Sequence, residues 1–466
     1  MSNFWDPGVW GSVNLMAVLL LSLLLANLMK KKIKLFGRSL IPTSVLGGLL
    51  LLVVTNVYRA ITGVSMFDTA FFGGNGTAKA EVITYHALAL GFIASAFKPI
   101  GDKIRRERVR AVFNTGFTTV ATYLLQGVLG LGITLLWAQF DSSKFPGAGI
   151  LLPLGYGQGS GQALNWGGVY ETDYGFVGGR SYGLSIAALG FLSAAIGGVI
   201  CMHIAERRGR IHRHFTESAE VYEANDIQRK NEIPMNGSID KLTVQIGFVF
   251  GAYLLAYLIM FGMGEIAGGL KSVFYGLNFL FGIIVATLIN FGMAKLRRRK
   301  IVKKQYINAF LMKRISGFFF DLMIVAGIAA IRIEMISGYW VQILLLGLVG
   351  ALATYFYNRF VAKKLFADYA EEQFLVMYGM LTGTASTGII LLREIDPEFQ
   401  TPAEENLIYQ NFPAIVFGFP MMILAALVPK QPLMALLSIF GLFIVLNLLL
   451  FRSFIFRRKK SGGQEA

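Results

Sequence analysis

Apolar runs near twenty residues long alternate with short polar loops along most of the chain. That is the length an α-helix needs to cross a hydrocarbon core of roughly 30 Å. The pattern predicts spans near 8–29, 39–58, 82–98, 111–138 and 181–203. A second set follows near 242–263, 270–294, 312–333, 337–361 and 407–429, with an extra span near 431–452. Between the fourth and fifth spans of each set the pattern breaks. Residues 151–168 read LLPLGYGQGSGQALNWGG, and residues 373–394 read QFLVMYGMLTGTASTGIILLRE. Five is odd, so the second set of spans has the opposite orientation to the first. Paired interruptions at matching positions of inverted halves point to the binding site of a secondary transporter.

The expected fold is therefore an all-α polytopic membrane protein. Two inverted five-span repeats each carry a re-entrant hairpin, and one C-terminal span is extra. Residues 1–203 form the N-terminal repeat, 204–240 a cytoplasmic linker and 241–430 the C-terminal repeat. Residues 431–466 hold the extra span and a basic tail. Composition agrees: of 466 residues 55% are hydrophobic and only 15% charged, against about 25% charged in soluble domains.

The formal charge of +16 raises nucleic acid as a partner. The basic residues argue against it, because they cluster in short loops such as KKKIKLFGR at 30–38, KPIGDKIRRERVR at 98–110 and KLRRRKIVKK at 295–304. These loops fall on one side of the predicted topology, as cytoplasmic loops do. A bilayer is the expected partner, the bacterial inner membrane the expected location. The N-terminus, MSNFWDPGVW, has no basic residue before its first apolar run and reads as an outward start of a true span, not a signal peptide. The C-terminus falls in the cytoplasm. A single cysteine, Cys201, excludes an intrachain disulfide and a thiolate cluster.

Irregular backbone at membrane depth is tolerated only against protein or a water-filled cavity. Two hairpins meeting near mid-membrane satisfy that condition, one at 146–168 from outside and one at 373–394 from the cytoplasm. Freed N–H groups at helix N-termini favour anions, and freed carbonyls suit a cation such as sodium. Gly157, Gln158, Gly159, Ser160, Gly161, Gln162 and Asn165 form the first candidate tip. Thr382, Gly383, Thr384, Ser386 and Thr387 form the second. The bland alternative makes the first an outer loop and the second a packing face of small residues. The recurrence in the same slot of both halves favours the site.

At these residues the chain resembles the bacterial sodium/glutamate symporters, over most of residues 8–429. IPTSVLGGLLL at 41–51 is similar to that family's second-span motif. GQGSGQA at 157–163, followed by Tyr174-Gly175, resembles its Gly-His-Gly-Thr hairpin signature. DYAEEQFLVMYGMLTGTASTG at 368–388 resembles the segment leading into its second hairpin. The resemblance implies opposed re-entrant hairpins, sodium as coupling ion, L-glutamate or a related small organic anion or amino acid as substrate, and a homodimer. Departures are visible. Gln158 stands where the family has His, Ser160 where it has Thr, and Thr384-Ala385-Ser386-Thr387 where it has Ala-Thr-Pro-Thr. Residues 389–393, IILLR, are more apolar and more basic than the family's continuation.

Other polar residues widen the choice. Asp321 lies within a predicted span and could ligate sodium or carry a proton; alternatively it pairs with Arg314. Arg393 could meet a substrate carboxylate, or pair with Glu394. Arg332 and Glu334 read as interfacial anchors. Asn114, Gln126, Asn278 and Asn290 read as interhelix hydrogen-bonding groups rather than ligands. Small residues at 127–132, GVLGLG, permit self-association. No nucleotide loop of Walker type is present, so no cofactor beyond the coupling ion is expected. A proton-coupled carrier or exporter of another organic anion is the alternative within transport. A membrane-embedded enzyme is the alternative outside it, although HExxH and paired Asp-rich motifs are absent.

Overall fold

A computed structural model describes residues 3–38, 41–97, 106–211, 232–235, 238–268, 271–396 and 399–452. The described residues are helical apart from turns, with one isolated bridge between Glu232 and Gln305. Most of the predicted linker and the basic C-terminal tail lie outside the described residues.

The first half runs α1 (Pro7–Lys32), α2 (Lys34–Arg38), α3 (Thr43–Thr62), α4 (Gly76–Ala96) and α5 (Arg106–Phe140). A 3₁₀ turn (Pro146–Ile150) leads into α6 (Leu151–Tyr156), α7 (Ser160–Tyr174) and α8 (Gly179–Leu192). A π-helical turn (Ser193–Gly197) joins α8 to α9 (Gly198–Arg207). The second half runs α10 (Lys241–Ile266), α11 (Lys271–Gly276), α12 (Asn278–Arg298), α13 (Ala309–Ala329) and α14 (Trp340–Leu365). Then come α15 (Ala370–Thr382), α16 (Ala385–Arg393), α17 (Ala403–Tyr409), α18 (Asn411–Leu427) and α19 (Pro432–Leu450).

Local chemistry sets the ends. Asp6 caps α1 by accepting from the Gly8 N–H at 2.9 Å, Pro7 occupies its first turn, and Lys30, Lys31 and Lys32 close it. Pro42 stands at the start of α3, and Gly63, at φ +78°, ends it. Helix α4 begins six residues before the predicted span, because Asp68 holds the Thr77 N–H at 3.1 Å. Asn308 caps α13 through the Leu311 N–H at 2.7 Å. The tenth predicted span is broken into α17 and α18 at Gln410, just before Pro413.

Among the described residues, eight helices are long and apolar enough to cross a membrane. Their outward faces stay apolar, as at Leu24 on α1, Leu348 on α14 and Leu437 on α19, each about 60% exposed. A water-soluble fold would not tolerate so many such faces. The described residues thus form an all-helical fold compatible with a polytopic membrane protein.

The helices pack in two groups. In one, α4 lies against α13 at the centre, with α3 on α13 and α12 on α4, then α1 on α3 and α10 on α12. In the other, α5 crosses α14, with α8 on α14 and α18 on α5. Each group thus draws helices from both halves of the chain. Helix α7 bridges the groups by packing on α4 and α13. Two of the glycines of 127–132 are used inside the chain, where Gly130 meets Gly149 backbone to backbone and Gly127 faces Ile439 of α19, while Gly132 meets nothing within 4 Å. An apolar groove of about 430 Å³ between α5 and α19 lies away from the interrupted helices.

Candidate functional site

Four short helices, each unable to cross roughly 30 Å at 1.5 Å per residue, flank the two interruptions. They are α6, α7 with 15 residues, α15 with 13 and α16 with 9. They form two pairs, each broken where the sequence turns to Gly, Gln, Ser and Thr. The arms of the second pair close on glycine: a Cβ on Gly379 would lie 2.7 Å from the Gly388 Cα. Helix α7 runs on to Tyr174, past the predicted end of its hairpin at 168, and stops at Gly175 with φ +71°.

In the first break, Gly159 has φ +85°, a left-handed conformation that favours glycine. The Tyr123 hydroxyl of α5 donates to the Gly157 carbonyl at 3.0 Å. Gln158 is half-buried. No side chain caps α7. Ser160 is fully buried against Gly327 of α13, and Gly161 against Leu88 of α4. The Ser160 Oγ and both polar ends of Gln162 are buried without a hydrogen-bond partner. Asn165 is not part of the tip; its Nδ2 donates to the Gly276 carbonyl of α11.

The second break is more open. Thr384 is half-buried and caps α16, its Oγ1 3.3 Å from the Thr387 N–H and 3.1 Å from the Thr387 hydroxyl. Ala385 is exposed. Thr382 is fully buried and donates to the Tyr378 carbonyl at 2.6 Å. Gly383 packs on Ala194. The side chain of Ser386 lies outside the described residues.

The two breaks meet at the end of α8. A Cβ on Gly190 would collide with the Thr382 carbonyl and lie 3.0 Å from the Tyr156 ring. The Tyr156 hydroxyl is 3.0 Å from the Ser193 Oγ and donates to the Gly347 carbonyl at 2.7 Å. The Tyr378 hydroxyl donates to the Ser193 carbonyl at 3.2 Å. Ser193 opens the π-helical turn, and such turns are frequent at functional sites.

Asp321 and Arg393 do not join this centre. Asp321 lies on the exposed side of α13 facing Ser44 of α3, and the Arg314 guanidinium stacks on Phe310. Arg393 ends α16, nine residues beyond Thr384, and lies 5.2 Å from the Phe399 ring centroid. Arg332 and Glu334 act in ion pairs instead. Glu334 pairs with Arg59, and Arg332 lies 3.9 Å from Glu81. Glu81 also faces Arg180 at 3.6 Å, which holds Glu171 at 3.0 Å. This network links α4 and the end of α13 to α7 and α8, across the boundary between the helix groups.

Sequence reasoning missed Tyr156, Ser193 and Tyr378. One signal was available: the similar stretches ATYLLQ at 121–126 and ATYFYN at 353–358 lie on α5 and α14. Tyr123 reaches the first break, and Tyr355 packs on Phe374 and Tyr378 of the second. Set against protein-family models, characterised proteins and solved structures, the chain finds no match.

Proposed function

We propose that the protein is a secondary active transporter, coupling sodium entry to uptake of glutamate or a related small organic anion or amino acid. The observation that carries the reading is the meeting of two interrupted helix pairs at one turn of α8. In this reading each pair is a re-entrant hairpin within an inverted repeat, at 1–203 and 241–430. That each helix group draws on both halves supports the repeat. The uncapped N-terminus of α7, with the unpartnered Ser160 and Gln162, suits a carboxylate. Alternating access moves the hairpin-bearing helices against the group centred on α4 and α13. Glutamate and the homodimer rest on the sequence resemblance.

The test is uptake of radiolabelled glutamate into proteoliposomes, with and without an inward sodium gradient. Sodium-dependent accumulation, lost in Ser160→Ala and Thr384→Ala variants that still fold, supports the reading. Absence of uptake in both conditions removes glutamate as substrate; a screen of other small anions by sodium-dependent uptake then decides the transport class.

A further inference from the structure

The crossing of α5 and α14 holds a second polar centre. Thr122 and Gln126 lie one turn apart on α5, and Thr354 and Asn358 one turn apart on α14. All four are 0–1% exposed. Their bonds are reciprocal. The Gln126 Nε2 donates to the Thr354 Oγ1 at 2.7 Å, and the Asn358 Nδ2 to the Thr122 Oγ1 at 3.3 Å. The Gln126 Nε2 also donates to the Leu381 carbonyl at 3.0 Å, one residue before the second break. Each threonine hydroxyl proton already serves a carbonyl of its own helix, at Thr118 and Gly350, both at 2.7 Å.

The donors are thus engaged, and what remains is acceptor oxygen. The Gln126 Oε1 and the Asn358 Oδ1 are buried with no hydrogen-bond partner. An orphaned buried acceptor is costly, and the crossing holds two, one on each helix. A cation satisfies such oxygens without needing a donor. The charge type follows from the surroundings. From residue 109 to 140, α5 has no Asp or Glu, and α14 has none. Neighbouring Arg359 is ion-paired with Glu371. Neutral oxygens alone match a hard monovalent ion, whereas divalent sites recruit carboxylates.

We infer that this crossing binds sodium through the Gln126 and Asn358 amide oxygens, with the Thr122 and Thr354 hydroxyl oxygens completing the shell. Each half of the chain contributes one threonine and one amide. The Leu381 carbonyl, held by Gln126, ties the ion to the second break, so filling the crossing acts on Thr382 and Thr384 through the backbone. This deepens the transport reading and rests on it for the coupling role; the binding itself does not need transport.

The test is thermal unfolding of the purified full-length protein in detergent, without substrate. Sodium, lithium, potassium and choline chlorides are compared at constant ionic strength. The expected result is a saturable rise in apparent Tm with sodium and none with choline. Gln126→Leu and Asn358→Leu raise the half-saturating sodium concentration at least tenfold or abolish the rise. Asn358→Asp keeps an oxygen and adds charge, so it lowers that concentration. The inference is overturned if sodium gives no rise in the unsubstituted protein. Unchanged half-saturation in the leucine variants, where water alone fills the crossing, also overturns it. If those variants do not fold, unchanged half-saturation in Asn358→Asp does the same. A sodium response with no glutamate uptake removes the substrate and leaves this site standing.

Discussion

Gly379→Ala tests whether the arms of the second helix pair must touch through backbone. The added methyl would lie 2.7 Å from the Gly388 Cα and 2.9 Å from its nitrogen, against an ordinary contact of 3.4 Å or more. The difference, 3.4 − 2.7, asks α15 and α16 to part by about 0.7 Å. Neither atom can rotate away, because both are backbone. Overpacking of this kind costs about 1–3 kcal/mol. Alanine gains about 1 kcal/mol over glycine in a helix interior, so the net change lies between neutral and about 2 kcal/mol of destabilisation. Gly251→Ala on α10 is the control, because a Cβ there meets nothing within 4 Å. It keeps only the propensity gain. The assay is apparent Tm in detergent for both variants, with sodium-driven uptake alongside. Gly379→Ala is expected to melt below Gly251→Ala and to lose most uptake, since the strain falls four residues from Gly383. Equal melting temperatures together with full uptake would refute the backbone contact.

Other outcomes follow from the same geometry. Tyr156→Phe and Tyr378→Phe should each cost about 1 kcal/mol. A double-mutant cycle should show coupling of at least about 0.5 kcal/mol through Ser193, read from denaturant titrations. Lys241 and Glu232 pair at 2.7 Å, with side chains 1% and 3% exposed. Lys241→Met should therefore destabilise by about 3–5 kcal/mol, and adding Glu232→Leu should recover much of the lost apparent Tm. Arg180→Ala should cost about 1 kcal/mol or less, with a smaller penalty at high salt, because its pairs are part-exposed.

The interrupted helices were legible because their cause is local. Gly157 and Gly159 about Gln158, and Gly383 beside Thr384, break an apolar pattern within a few residues. Most helix ends fell close to expectation for the same reason. Caps from remote residues were harder to read, and Asp68 extending α4 back to Gly76 is one case. The crossing was hidden. Thr122 and Gln126 look like ordinary interhelix bonding groups until α14 is known to cross α5 at that level. The orphaned oxygens are properties of packing, visible only when every donor has been assigned. Asp321 stands out in the sequence as a lone acid in an apolar helix, but only packing shows that its neighbour is Ser44 of α3.

The most direct test asks from which side each break is reached. In a Cys201→Ser background, single cysteines are placed by Gln158→Cys and Ala385→Cys. Each is labelled with a membrane-impermeant maleimide in right-side-out and inside-out vesicles, with and without sodium and substrate. The account predicts that the two positions react from opposite sides, and that sodium with substrate slows both. Reaction of both positions from the same side, or of neither from any side, would contradict it.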